Sequence, residues 1–144
     1  MKGMTEIVKT VSKLLAGLIF FYGMYIVVFG HLTPGGGFAG GVIISGAFIL
    51  LIVANGIDDE KISRGKEKAG FLESSGIFLF WIISTIGLCM GTYFLLNFLG
   101  KGKPLNIFSA GTIPLCNIAI GAEVSAALCS IVIAFILVKK GDNK

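Results

Sequence analysis

Charge is scarce in this sequence. Asp, Glu, Lys and Arg together make up 14% of its 144 residues, against roughly 25% in soluble domains. That leaves too few polar side chains to coat a water-soluble fold of this size and argues against one. Cysteine is also sparse. Cys89, Cys116 and Cys129 are odd in number, far apart and set in apolar sequence, so neither a disulfide framework nor a zinc site is expected, and all three read as small apolar packing residues. His31 is the sole histidine, and with no second His or Cys at ligand spacing no metal is expected. Nucleophile and base pairs, phosphate-binding lysines and redox motifs are lacking too. The chain by itself is therefore not expected to be an enzyme or to carry a cofactor. No charge block or low-complexity tract interrupts it.

What fills the chain is apolar sequence: 55% of the residues are hydrophobic and the mean hydropathy is +0.91. Crossing about 30 Å of hydrocarbon takes roughly 20 apolar residues in a helix. Four uncharged or nearly uncharged stretches meet that need, predicting helices over about 14–30, 38–54, 76–99 and 118–138. The expectation is an all-α, polytopic membrane protein of about four transmembrane helices, forming a single membrane domain over 1–144. The first stretch, Leu14 to Phe29, is longer than a signal-peptide core and leads into a Gly-rich turn rather than a cleavage site, so it reads as a retained helix.

The net charge of +4 reflects topology rather than a nucleic-acid surface. Four spans place Lys2, Lys9, Lys13, Lys61, Arg64, Lys66, Lys68, Lys139, Lys140 and Lys144 on one side, and only Lys101 and Lys103 on the other. The positive-inside rule then puts both termini and the 57–70 loop in the cytoplasm. Residues Gly100 to Asn117 are harder to place, because Pro104 and Pro114 bracket an apolar stretch. Pro114 disfavours a regular helix running through that point. A short re-entrant segment and an ordinary external loop both fit, the former only if protein or a wet cavity covers it.

Close helix packing in lipid depends on small residues at four-residue spacing. Gly37, Gly41 and Ser45 form such a stripe in the second helix, and Gly87 and Gly91 in the third. Ala119, Glu123, Ala127 and Ser130 share a face of the fourth. Glu123 is the one charge inside a span, and a carboxylate there costs about 2.5–3.5 kcal/mol on insertion scales. It reads either as a proton or cation site or as a hydrogen-bonded carboxylate near the outer interface. His31, at the outer end of the first helix, can cap that helix or shuttle protons.

The turn Gly35 to Gly40 matches the G-x-G-x-x-G dinucleotide fingerprint, with Asp58 and Asp59 about twenty residues on. That fingerprint requires a strand before the glycines, and a membrane span stands there instead. Pro34 and the three glycines make a tight reversal, whose amides at Gly36, Gly37 and Phe38 are expected to point outward as a nest for an anion or water.

The full run G-H-L-T-P-G-G-G-F-A-G-G-V from Gly30 to Val42, opening the second of four spans, strongly resembles the MnhB family, one of the small membrane subunits of the Mrp-type multi-subunit cation/proton antiporters. Helix order, the basic loop after the second helix and the Pro-Leu segment before the fourth extend the resemblance over nearly the whole chain. It implies an accessory subunit of a hetero-oligomeric complex in a prokaryotic plasma membrane, exchanging Na+ or K+ for H+. It also implies that His31, Pro34, Gly35, Gly36, Gly37 and Phe38 shape a subunit interface and any ion path beside it. Similar subunits occur in membrane-bound hydrogenase-like respiratory complexes, so a sodium-translocating membrane part of an oxidoreductase is the alternative. One departure bears on this choice. Antiporter members often read Pro-Leu-Leu-Phe-Asp-Ile-Gly where this chain has Pro114-Leu115-Cys116-Asn117-Ile118-Ala119-Ile120. Asn117 can coordinate a cation but cannot relay a proton as aspartate does, and Glu123 is the residue positioned to substitute.

Overall fold

A computed structural model of the chain describes residues 4–56, 59–91, 93–100, 102–103 and 109–141. Four helices make up its regular structure: α1 Glu6–Val28, α2 Gly36–Asn55, α3 Asp59–Met90 and α4 Ile113–Gly141. Each contains a segment long and apolar enough to cross a membrane. The described residues are thus all-helical, as the hydropathy pattern implies. The helices pack laterally in the order α1, α2, α4, α3, so that α2 and α4 hold the centre and α3 rests on α4. The α1–α2 hairpin is antiparallel, with the Met4 amide donating to the Ala54 carbonyl at 3.0 Å.

The helix ends differ from the hydropathy-based bounds for identifiable reasons. α1 begins at Glu6 rather than near Leu14, because Glu6 lies at the positive helix end and pairs with Lys9 one turn on, at 2.8 Å. α3 starts at Asp59 instead of near 76. Of the polar stretch read as a 57–70 loop, the part from Asp59 on carries several Lys and Glu, good helix formers, and continues as helix. At its other end α3 stops at Met90 rather than near 99. The chain reverses there, with Leu95 in the left-handed region (φ 62°) and Leu96 laid against the backbone face of Gly87.

α4 starts at Ile113, five residues before the expected start. Pro114 therefore sits in the first turn, where a missing N–H costs no helical hydrogen bond, and does not interrupt a helix. Within the Gly100 to Asn117 stretch, Pro104 to Phe108 lie outside the described residues, as does Asp58 of the fingerprint-like pattern. The described part, 109–112, is a turn held by one side chain. Asn97 donates from Nδ2 to the Ala110 carbonyl at 2.9 Å, and its Oδ1 accepts from the Thr112 amide at 2.9 Å and the Thr112 hydroxyl at 3.3 Å.

The core of this bundle is made of small residues. Ala16, Ala47, Ala54 and Ala119 are almost fully buried, together with Ser45 and Ser84. The serine hydroxyls donate back to their own helices, Ser45 to Val42 O at 2.7 Å and Ser84 to Phe80 O at 2.8 Å, so they are buried without an unmet donor. Val27, Ile26, Ile44 and Ile133 are buried beside them, while many large side chains point outward: Phe21 is 73% exposed, Phe71 78% and Phe135 71%. Apolar exterior and small-residue interior is the pattern of a bundle solvated by lipid, where close backbone approach supplies the packing energy.

Candidate functional site

The α1–α2 turn is built by α1 ending early and glycines taking up the reversal. The Phe29 carbonyl accepts from the amides of Leu32 (2.8 Å) and Thr33 (2.9 Å) and from the Thr33 hydroxyl at 3.0 Å. Thr33 thus caps the end of α1. Gly35 and Gly36 then adopt φ of +123° and +64°, values that side chains with a Cβ rarely tolerate, and α2 starts immediately. His31 is half-buried, Pro34 is exposed, and the Phe38 ring points outward, 65% exposed.

This turn docks on the first turns of α4 through Asn117. The Gly37 amide donates to Asn117 Oδ1 at 3.3 Å. A Cβ on Gly37 would run into the Asn117 carbonyl, and one on Gly30 would stand 2.8 Å from Asn117 Nδ2. Asn117 Nδ2 itself is shielded from solvent and has no hydrogen-bond partner among the described residues. The Gly37 amide is therefore turned inward, and the outward nest expected from the glycine run is not formed at that residue. Farther along the same seam, Gly41 packs on the Gly121 carbonyl and Val124. Gly37 and Gly41 of the small-residue stripe are thus on the α2 surface against α4. Gly40 faces α1 instead, where a Cβ would stand 2.9 Å from the Val27 nitrogen.

Glu123 occupies a different face of α4. Its backbone and Cβ approach Gly76 of α3, with the Ala119 carbonyl beside them; a Cβ on Gly76 would lie 2.9–3.0 Å from these atoms. Both Glu123 and Glu73, one turn before Gly76, are half-buried. Asn117 and Glu123 therefore do not converge: six residues apart on a helix, one meets α2 and the other α3. The Gly87 and Gly91 pair does not meet a helix, since both receive Leu96 of the returning segment.

Sequence reasoning missed two positions that build the structure around the candidate site. Asn97 clamps the start of α4, and Gly76 lets α3 reach the backbone at Glu123. Asn97 carries a signal in retrospect, as an amide in apolar sequence with no local role. Gly76 has none beyond being a glycine.

This architecture has relatives. Residues 7–130 match the family described as "Domain related to MnhB subunit of Na+/H+ antiporter". An uncharacterized protein of Methanocaldococcus jannaschii is 36% identical over 132 residues, covering 86% of this chain and 49% of that protein. A Staphylococcus aureus protein named as antiporter subunit mnhB2 is 41% identical over 59 residues, covering 41% of this chain and 42% of the relative. The chain thus spans about half the length of the curated relatives it matches. A chain in the structure of the membrane-bound sulfane sulfur reductase, an archaeal respiratory membrane complex, superimposes with a TM-score of 0.60 at 35% identity, covering 89% of this chain and 56% of the other. With the family match running from the first turn of α1 to the last third of α4, this membrane chain belongs to the MnhB-related family of Na+/H+ antiporter subunit domains.

Proposed function

We propose that this chain is an accessory membrane subunit of a multi-subunit Na+ or K+/H+ antiporter, contributing to assembly and to the cation/proton path. The reading rests on the Gly30–Val42 motif, which forms the α1–α2 turn and is fastened to α4 by the Gly37–Asn117 hydrogen bond. In this reading His31, Pro34, Gly35, Gly36, Gly37 and Phe38 shape a subunit interface, with the exposed Phe38 ring reaching a neighbour. Asn117 offers amide groups to a cation path and Glu123 a carboxyl that exchanges a proton or cation. The chain works in a prokaryotic plasma membrane with its basic end in the cytoplasm, and the pumping chemistry belongs to other subunits.

A second reading is favoured by the 35% identity across 89% of the chain to the respiratory complex subunit. In it the same bundle is the sodium-translocating membrane part of an oxidoreductase. Purifying the tagged chain from its native membrane in mild detergent, with mass spectrometry of what co-purifies, separates the two. Stoichiometric antiporter-type subunits alone support the first reading, and iron-sulfur or hydrogenase-like subunits move the assignment to the second. A chain that purifies alone sinks both.

A further inference from the structure

A groove of about 320 Å³ opens between α1 and α2, away from the Asn117 and Glu123 seams. Its floor is formed by Ala16, Gly17 and Ala47; the two alanines are buried where the helices touch, while a Cβ at Gly17 would meet nothing within 4 Å. Phe20 and Phe48 also line it, their rings meeting edge to face at 5.9 Å. At the mouth stands Lys13, the last charge before the apolar run. Lys13 is exposed, and Glu6, the acid on the same helix, makes its close ion pair with Lys9 at 2.8 Å.

We propose that this groove binds an anionic phospholipid, with one acyl chain along Ala16, Gly17 and Ala47 and the phosphate paired with Lys13. Charge argues for this occupant. From Lys13 to Phe20 the groove runs about 10 Å at 1.5 Å per residue, from the basic start of α1 into its apolar run. The antiparallel packing gathers the start of α1, the end of α2, the start of α3 and the end of α4 at this edge of the bundle. Lys9, Lys13, Arg64, Lys66, Lys68 and Lys139 therefore ring one leaflet boundary. A basic boundary with a crevice between helices recruits anionic headgroups, and a long lysine stem reaches the interface from just inside it. The site is independent of which complex the chain serves.

The test uses the full chain, with its co-purifying subunits, in phosphatidylcholine nanodiscs containing a trace of phosphatidylglycerol that bears a photoreactive acyl chain. Cross-linked peptides are mapped by mass spectrometry. Adducts are expected on 13–20 and 47–51, competed by excess phosphatidylglycerol but not by extra phosphatidylcholine, and lowered about fivefold by Lys13→Gln. Gly17→Leu, which fills the slot without touching Lys13, is expected to remove them while the complex still assembles. Adducts spread evenly over all outward helix faces, or undiminished by both substitutions, overturn the proposal. So does capture of a protein subunit, instead of lipid, by a photoreactive residue placed at position 17.

Discussion

Gly37 has no room for a methyl group, because the space a Cβ would take is already filled by the Asn117 backbone. Gly46, nine residues later on the same helix, faces open space. Gly37→Ala is therefore expected to lower stability by about 1–3 kcal/mol through overpacking of the α2–α4 seam, while Gly46→Ala stays near the parent. Thermal denaturation of the purified assembly in detergent checks the pair, and equal midpoints for the two variants would contradict the seam described here. At the same junction Asn117→Leu leaves the Gly37 amide without its acceptor, a loss of about 1–3 kcal/mol for a shielded donor. Asn117→Asp keeps an oxygen in place and is expected to retain assembly, as judged by the yield of intact complex on size-exclusion chromatography.

At the scale of elements, Asn97 holds the described end of the junction between α3 and α4. Asn97 makes three hydrogen bonds to the turn at 110–112, placing Ile113 and Pro114 so that α4 starts on time. Asn97→Ala is expected to loosen the connector far more than the helices. Cleavage of the connector by proteinase K should then accelerate several-fold while protection of α1 and α2 is unchanged; an unaltered rate would show that Asn97 is dispensable. The helix count and the apolar centre of each helix were legible in the sequence, because lipid solvation demands long apolar runs. The ends were not. Hydropathy does not register a polar helix continuing past the hydrocarbon, as α3 does from Asp59, nor a backbone reversal such as the one at Leu95 inside an apolar stretch.

Over the whole molecule, basic residues gather at one end of the bundle, and Lys103 lies beyond the other end of α3 and before α4. This predicts opposite sidedness for single cysteines introduced by Lys103→Cys and Lys139→Cys, in a background where the three native cysteines are replaced by alanine. In intact cells a membrane-impermeant maleimide should label position 103 and spare 139 until the membrane is opened. The reverse pattern would invert the orientation, and labelling at both would break the four-span topology. The large exposed side chains, Trp81 and Phe78 stacked on α3 among them, leave ample apolar exterior for lipid and neighbouring subunits.

The sequence by itself determined the helical class, the number of spans and the family, because each follows from composition, run length or a contiguous motif such as Gly30–Val42. The candidate residues were legible individually for the same reason: a carboxylate in a span, a lone histidine and a Pro-Gly turn stand out against apolar sequence. Only the tertiary structure decided how they are distributed. Asn117 binds the glycine turn while Glu123 faces α3, Thr33 caps the end of α1, and Gly76 and Asn97 carry contacts that no local pattern announces. Those assignments depend on which faces of α2, α3 and α4 meet. In a bundle packed through small residues, that choice is made by backbone approach between distant segments, which no periodicity within one helix can specify.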